Sequence, residues 1–194
     1  MRQKYNKAEI IEKGVALFRH KGYHNTGVDD ILKSCGIPSG SFYNFFKNKE
    51  GFALQALEQY HQRYLAMLDQ LLLDDSISPL ERLRRLFEGN VKMHIAQDCS
   101  QGCLLNNLTS EVASLNLKIG QVAAKHYQRN AEKLADVIRS GQHLGEIRTD
   151  YKALDLAFYL TDSFAGASVR MQAGKNDQPL KLFMRTAFEF LKPR

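Results

Sequence analysis

The chain has 194 residues, 44% of them hydrophobic and only four of them proline, and its formal net charge is +6 at pH 7. This composition is typical of a globular protein and excludes a disordered or low-complexity chain. No apolar run approaches the roughly 20 residues that span a bilayer, and the N-terminal residues lack the apolar stretch of a signal peptide. Because three cysteines without a secretion signal indicate reduced thiols, we expect a cytoplasmic protein with no membrane partner.

The positive charge is concentrated near the N-terminus. Residues 1–51 contain nine lysines and arginines against five acidic residues, whereas the rest of the chain contains eighteen against sixteen. A basic module attached to a nearly neutral body is the charge distribution expected of a DNA-facing module. The charge therefore directs attention to the first quarter of the sequence.

The spacing of apolar residues predicts an all-α protein of about nine helices, because no segment shows sustained alternation with period two. The first helix is predicted over residues 7–21. Two shorter helices follow. We expect Thr26 to cap the second, with Asp29 three residues later completing a capping box. Gly36 suits the left-handed position after that helix, and Pro38 fits the first turn of the next one.

The third predicted helix, residues 39–46, has an unusual composition for a core element. Beside its phenylalanines it carries small and polar residues, namely Ser39, Gly40, Ser41, Tyr43 and Asn44. Small residues let backbone amides approach a phosphate, while hydroxyl and amide groups donate to phosphates or to base edges. The two short helices are therefore predicted to form a helix-turn-helix whose second helix contacts DNA.

These residues resemble the pattern of the TetR family of transcriptional regulators. The resemblance covers about the first 50 residues and is carried by Gly22-Tyr23, Thr26, Ile31, Cys35-Gly36-Ile37, Gly40-Ser41-Phe42-Tyr43, Phe46 and Lys49-Glu50. One departure is Ser39, where the family often has a lysine directed at a phosphate. The alternative is a short helical hairpin inside some other all-helical protein.

The resemblance implies a helix-turn-helix DNA-binding domain over residues 1–50 and a helical effector-binding and dimerisation domain over residues 51–194. It implies a homodimer on a palindromic operator, with repression as the usual output. The residues that we expect to contact DNA are Thr26, Pro38, Ser39, Gly40, Ser41, Tyr43, Asn44 and Lys49.

The last two long helices carry apolar residues all round, which indicates burial on two sides. One side can pack in the subunit's own core, and a second subunit is the simplest cover for the other. The alternative is a helix pair fully buried within a monomer. TetR-like regulators dimerise through these two helices, so the resemblance favours an interface that contains Leu160, Ala167, Phe183 and Phe188.

Cys103 lies in a Gly-Cys-Leu segment that resembles a TetR subfamily in which this cysteine senses electrophiles or oxidants. If a helix begins near Gly102, its N-terminal amides and dipole stabilise a thiolate at this position. Cys99, four residues upstream, is a candidate resolving cysteine. The alternative is a small residue that packs the start of the helix. Cys35 occupies the family's usual alanine position and is expected to be a packing residue.

The middle helices mix apolar and polar residues as ligand pockets do, although many cores share that mix. The residues expected to bind or sense an effector of unknown identity are Cys103, Asn107, Tyr127, Phe158 and Phe164. The histidines have no spacing typical of a metal site, and no nucleophile–base pair is apparent. We therefore expect no metal, no cofactor and no enzyme activity. A regulator without an inducer, and a helical interaction dimer without DNA or inducer response, remain as alternatives.

Overall fold

The computed structural model describes residues 5–194, which form nine α-helices, one π-helical turn and no β-strand. The helices are α1 Lys7–Lys21, α2 Val28–Cys35, α3 Ser39–Phe46, α4 Lys49–Leu72, α5 Pro79–Ala96, α6 Leu104–Leu108, α7 Leu117–His143, α8 Ala153–Gly174 and α9 Gln178–Phe190. The π-helical turn, Thr109–Ala113, directly continues α6 and is called the π turn below. The prediction of an all-α fold with about nine helices is confirmed.

The start of α2 differs from the prediction. Gly27 rather than Thr26 occupies the N-cap, and the Asp30 carboxylate accepts a hydrogen bond from the Gly27 N–H at 2.8 Å. The expected capping box of Thr26 and Asp29 is therefore wrong. Thr26 is instead fully buried, and its hydroxyl donates to the Gly22 carbonyl at 2.7 Å.

Two compact units make up the chain, and each is built from two separate stretches of sequence. The first contains the chain up to Arg63 together with Cys103–His126. The second contains Tyr64–Gly102 and Tyr127–Arg194. The unit that carries the helix-turn-helix thus also includes α6, the π turn and the start of α7. The predicted boundary at residue 50 falls inside the continuous helix α4, so it does not coincide with the edge of this unit.

Phenylalanines form the centre of the first unit. The ring centroid of Phe52 on α4 lies 4.8 Å from that of Phe46, 5.6 Å from that of Phe42 and 5.7 Å from that of Phe18. A Cβ on Gly14 of α1 would lie 2.1 Å from Cζ of Phe52, so this close approach requires a glycine. The ring cluster holds one side of α3 against α4 and leaves its other side facing away from the core.

The second unit has a larger and more aliphatic core. It is formed by the C-terminal part of α4 together with α5, α7, α8 and α9. The ring of Phe87 on α5 lies 5.1 Å from that of Phe183 and 6.2 Å from that of Phe188, both on α9 (centroid distances). α8 packs along α9, so the two last helices share one side of this core.

A buried arginine joins the loop before α8 to the end of α9. The Arg148 side chain is only 2% exposed and donates from Nε and Nη2 to the two carboxylate oxygens of Asp150, at 2.6 and 2.5 Å. Its Nη1 donates to the Phe190 carbonyl at 3.1 Å. This fork geometry gives the N–H donors of the buried guanidinium their hydrogen-bond acceptors. It also links the C-terminal end of α9 to the loop before α8, within the second unit.

Three of the four residues predicted at the dimer interface lie in this core. Leu160, Phe183 and Phe188 are at most 5% exposed within a single chain, so the side chains that were assigned to a partner contact their own subunit. Ala167 is only partly buried. Periodicity could not separate the two sides of α8 and α9, because large apolar residues occur on both. The large apolar residues left exposed on these two helices are Tyr159, Val169 and Leu182.

Among the described residues, no helix combines the length and the apolar character that crossing a bilayer requires.

Candidate nucleic-acid interface

Helix α3 has a buried side and an exposed side with different chemistry. Phe42 and Phe46 are at most 2% exposed and anchor the helix in the ring cluster of the first unit. The exposed positions are Ser39, Gly40, Tyr43 and Asn44, and Ser41 is partly exposed. Small and hydroxyl residues leave the backbone of this surface accessible to a ligand. A DNA backbone is a ligand that such a surface fits.

The N-terminal end of α3 is open. Pro38 is exposed at the N-cap with extended backbone and adds no side-chain cap, so the first amides of the helix are not covered by a capping side chain. A Cβ on Gly40 would meet no atom within 4 Å. The protein's own packing therefore does not require a glycine at this position. The space suits a phosphate that approaches the helix N-terminus, where amides and dipole favour an anion.

Tyr43 projects from the middle of this surface. Half of it is exposed, and its ring packs edge-on against Phe42 with centroids 5.5 Å apart. Phe42 thus supports the Tyr43 ring on one side, while half of the residue stays exposed to solvent. Asn44, the next residue, is exposed as well. The predicted DNA contacts of Pro38, Ser39, Gly40, Ser41, Tyr43 and Asn44 are therefore brought together on one face.

Two predicted contacts are placed differently. The Thr26 side chain is fully buried and its hydroxyl donates within the loop to Gly22, so a phosphate contact from this hydroxyl is wrong. Lys49 is only partly exposed, with Nζ over the ring of Tyr23 at 4.2 Å from the centroid. Burial lowers the pKa of Lys49, and the charges of Glu111 and Asp30 oppose that shift.

Two residues near this surface were not singled out in the sequence. Lys47, the C-cap of α3, is exposed and has a positive φ of 64°. The sequence feature that could have identified Lys47 is its position directly after the phenylalanines of α3. Glu111 of the π turn contacts the loop between α1 and α2. No local pattern marks Glu111, because the two partners are 87 positions apart.

The predicted effector residues are distributed over both units. Cys103 and Asn107 belong to the first, and Tyr127, Phe158 and Phe164 belong to the second. Cys103 is the N-cap of α6 rather than a first-turn residue, and it is partly buried. Its sulfur accepts a hydrogen bond from the Tyr60 hydroxyl at 3.8 Å.

Within residues 5–194, no three His, Cys, Asp or Glu side chains are grouped as metal ligands.

Comparison with known proteins agrees with this arrangement. Residues 10–56 match the model of the bacterial regulatory proteins of the tetR family, and residues 79–187 match the tetracyclin repressor-like C-terminal domain. The chain is 32% identical over 184 residues to the HTH-type transcriptional repressor DhaR of Mycobacterium sp. (strain GP1), covering 95% of this chain and 91% of that one. It is 34% identical over 182 residues to the transcriptional regulator AcuR of Cereibacter sphaeroides, with coverages of 91% and 81%.

A solved structure of a regulatory protein TetR from Rhodobacter sphaeroides superimposes with a TM-score of 0.90 at 31% identity. The alignment covers 95% of this chain and 97% of that one. Both the N-terminal and the C-terminal models match, and full-length relatives share the fold. The family consists of transcriptional regulators rather than enzymes. The chain therefore belongs to the TetR family of DNA-binding transcriptional regulators, and α2 and α3 lie within the matched tetR-family helix-turn-helix region.

Proposed function

We propose that this protein is a homodimeric repressor that binds a palindromic operator and is released from it by a small-molecule or electrophilic inducer. The observation that carries the proposal is the exposed side of α3, where small and polar residues stand on a helix anchored by buried Phe42 and Phe46. The names of the relatives DhaR and AcuR, a transcriptional repressor and a transcriptional regulator, support the same role.

The dimer is proposed to form through the exposed sides of α8 and α9. Tyr159, Val169 and Leu182 are 37%, 58% and 41% exposed, and large exposed apolar residues on one helix pair favour a protein interface. A Cβ on Gly166, between the two α8 residues, would meet no atom within 4 Å, which permits close approach of a second helix. Two subunits related by a two-fold axis then present two α3 helices to successive major grooves, about 34–36 Å apart.

Inducer binding is proposed to favour a conformation in which the two α3 helices no longer match that spacing. The free energy of operator binding that is lost is set by the difference between the inducer's binding free energies for the two conformations. The proposed effector residues are Cys103, Asn107, Tyr127, Phe158 and Phe164. Among them, Cys103 has a specific polar contact, because its sulfur accepts a hydrogen bond from the Tyr60 hydroxyl at 3.8 Å.

The operator is tested by selecting fragments from random double-stranded DNA with the pure protein and sequencing them. We expect an inverted repeat with half-sites one helical turn apart, and a binding constant that falls steeply with salt. No enriched sequence together with salt-insensitive binding would favour the helical interaction dimer.

The electrophile response is tested by alkylation with N-ethylmaleimide. The Cys103 sulfur adds to the maleimide double bond, forming one C–S bond, while a proton adds to the neighbouring carbon. We expect Cys103 to be labelled before Cys35 and operator release to follow the labelling. Cys103→Ser should bind operator normally and ignore the reagent. If labelled protein still holds the operator, Cys103 is a packing residue and the inducer acts elsewhere.

Cys99→Ser is the matched control for that experiment. It should keep the response to maleimide, because alkylation needs no second thiol. If Cys99 resolves an oxidised Cys103, the same variant should lose reversibility only after treatment with peroxide.

A further inference from the structure

The loop between α1 and α2 is held by one carboxylate from a distant part of the chain. Glu111, in the π turn, accepts a hydrogen bond from the His24 N–H at 3.1 Å through Oε2. The His24 ring nitrogen Nε2 lies 3.1 Å from the Glu111 backbone carbonyl. One residue of the π turn therefore contacts one loop residue through both its side chain and its backbone. All of these groups belong to the first unit.

Because Gly22 has no side chain, it leaves room for the Glu111 carboxylate. Its φ of +82° is a conformation that side chains other than glycine rarely adopt. A Cβ there would lie 2.7 Å from Oε1 and 2.9 Å from Oε2 of Glu111. The close approach of the carboxylate thus depends on a glycine at the end of α1. Thr26, near the end of the loop, donates a hydrogen bond from its hydroxyl to the carbonyl of the same glycine.

The start of α4 is contacted by the same distant part of the chain. The Asn116 side chain donates to Glu50 Oε2 at 2.7 Å, and Lys118 Nζ lies 3.3 Å from Oε1 of the same carboxylate. Asn116 also accepts from the Ile119 N–H and so caps the start of α7. Residues 109–118 therefore contact the helix-turn-helix both before α2 and after α3.

We propose that Glu111 is a positioning residue for DNA binding, which holds the α1–α2 loop so that α2 and α3 keep the orientation that the operator requires. The proposal rests on the proposed function, because it needs an operator. Glu111 itself contacts no DNA in this scheme. π-helical turns are often found at functional sites, and this one presents the carboxylate toward the loop.

A purely electrostatic role predicts the opposite outcome. A carboxylate near the DNA surface repels phosphates, so its removal would tighten binding. Glu111→Gln and Glu111→Ala separate the two roles, because glutamine keeps an oxygen that accepts from the His24 N–H, whereas alanine does not. Glu132→Ala is the matched control for charge, since Glu132 is an exposed acid of the second unit whose carboxylate accepts a hydrogen bond from the Gln128 side chain at 2.9 Å.

The experiment measures the affinity of each variant for the fragments selected by the wild-type protein. We expect Glu111→Ala to bind about tenfold more weakly, the loss that follows from one hydrogen bond to a charged group. Glu111→Gln and Glu132→Ala should stay within about twofold of wild type. Equal or tighter binding by both Glu111 variants would overturn the proposal. A wild-type protein that selects no DNA would instead contradict the proposed function.

Amide hydrogen exchange supplies a second readout that does not depend on DNA or on the folding of Glu111→Ala. In the wild-type protein, we expect the His24 amide to be protected although it lies in an exposed loop, and we expect Glu111→Gln to retain that protection. If Glu111→Ala folds, its loop amides should exchange faster while the amides of α8 are unchanged. A wild-type His24 amide that exchanges at the rate of an unprotected peptide would overturn the proposal.

Discussion

In both units of the molecule buried phenylalanines anchor a helix, but the side chains that the helix leaves exposed are different. In the first, Phe42 and Phe46 anchor α3 while Tyr43 and Asn44 remain on its outer side. In the second, Phe183 and Phe188 anchor α9 while Leu182 remains exposed. Burial alone explains how each helix is held in place. The chemistry of what stays outside decides the partner, which is a polyanion for the first unit and, as proposed, a second copy of the chain for the second.

The largest effect that we expect is on assembly. Leu182→Asp places an unpaired charge in the proposed dimer interface and should weaken dimerisation by about 100-fold or more, since a buried unpaired charge costs about 3 kcal/mol or more. Leu73→Asp is the matched control, because Leu73 is another exposed leucine of the second unit, 72% exposed and outside α8 and α9. Analytical ultracentrifugation distinguishes the two. A dimeric Leu182→Asp protein would place the interface elsewhere.

Substitutions of two glycines in the first unit distinguish an effect on stability from an effect on DNA binding. Gly14→Ala forces a Cβ against Phe52 and should lower the free energy of unfolding by about 1–3 kcal/mol. Gly40→Ala meets no atom of the protein, so it should leave stability unchanged or slightly higher while weakening operator binding. Thermal unfolding and operator titration of both variants check this. Normal operator binding by Gly40→Ala would mean that no phosphate approaches α3 at this point.

Tyr43→Phe should have a smaller effect. It removes one hydroxyl from the exposed side of α3 and should weaken binding about three- to tenfold on all sequences, because a phosphate contact carries no sequence information. Titration against the selected operator and against scrambled DNA measures both affinities. A changed sequence preference at unchanged operator affinity would assign the hydroxyl to base contact.

The smallest effect concerns pH and the first unit. Hydrogen bonds from Asn116 and then Lys118 lower the pKa of Glu50. Because the pKa is lower in the folded state, the stabilisation is fully present above the unfolded value, about 4.3, and is lost as the pH falls through the folded pKa. Glu50→Gln should therefore melt below wild type at pH 7, and the difference should shrink below about pH 4. A pH-independent difference would show that the charge of Glu50 contributes nothing.

Local patterns in the sequence were sufficient for the helix-turn-helix. Gly36 takes the left-handed conformation that was expected after α2, with φ of 65°, and α3 spans the predicted residues 39–46. These features depend on neighbours a few positions apart, so composition and spacing reveal them. The residues expected on the DNA-contacting side of α3 are exposed for the same reason. The apolar positions of that helix were already distinguishable from the polar ones.

Tertiary structure decided what depends on distant partners. The full burial of Thr26 comes from packing within the first unit, although its hydroxyl donates locally to the Gly22 carbonyl. Phe188 went to the subunit's own core because α5 supplies Phe87 against it. Glu111 acquired its contact with His24 from a position 87 residues away. The sequence by itself determined which helices form and that one of them suits DNA. Only packing, which joins residues that no local pattern relates, decided which side of each helix is left for a partner.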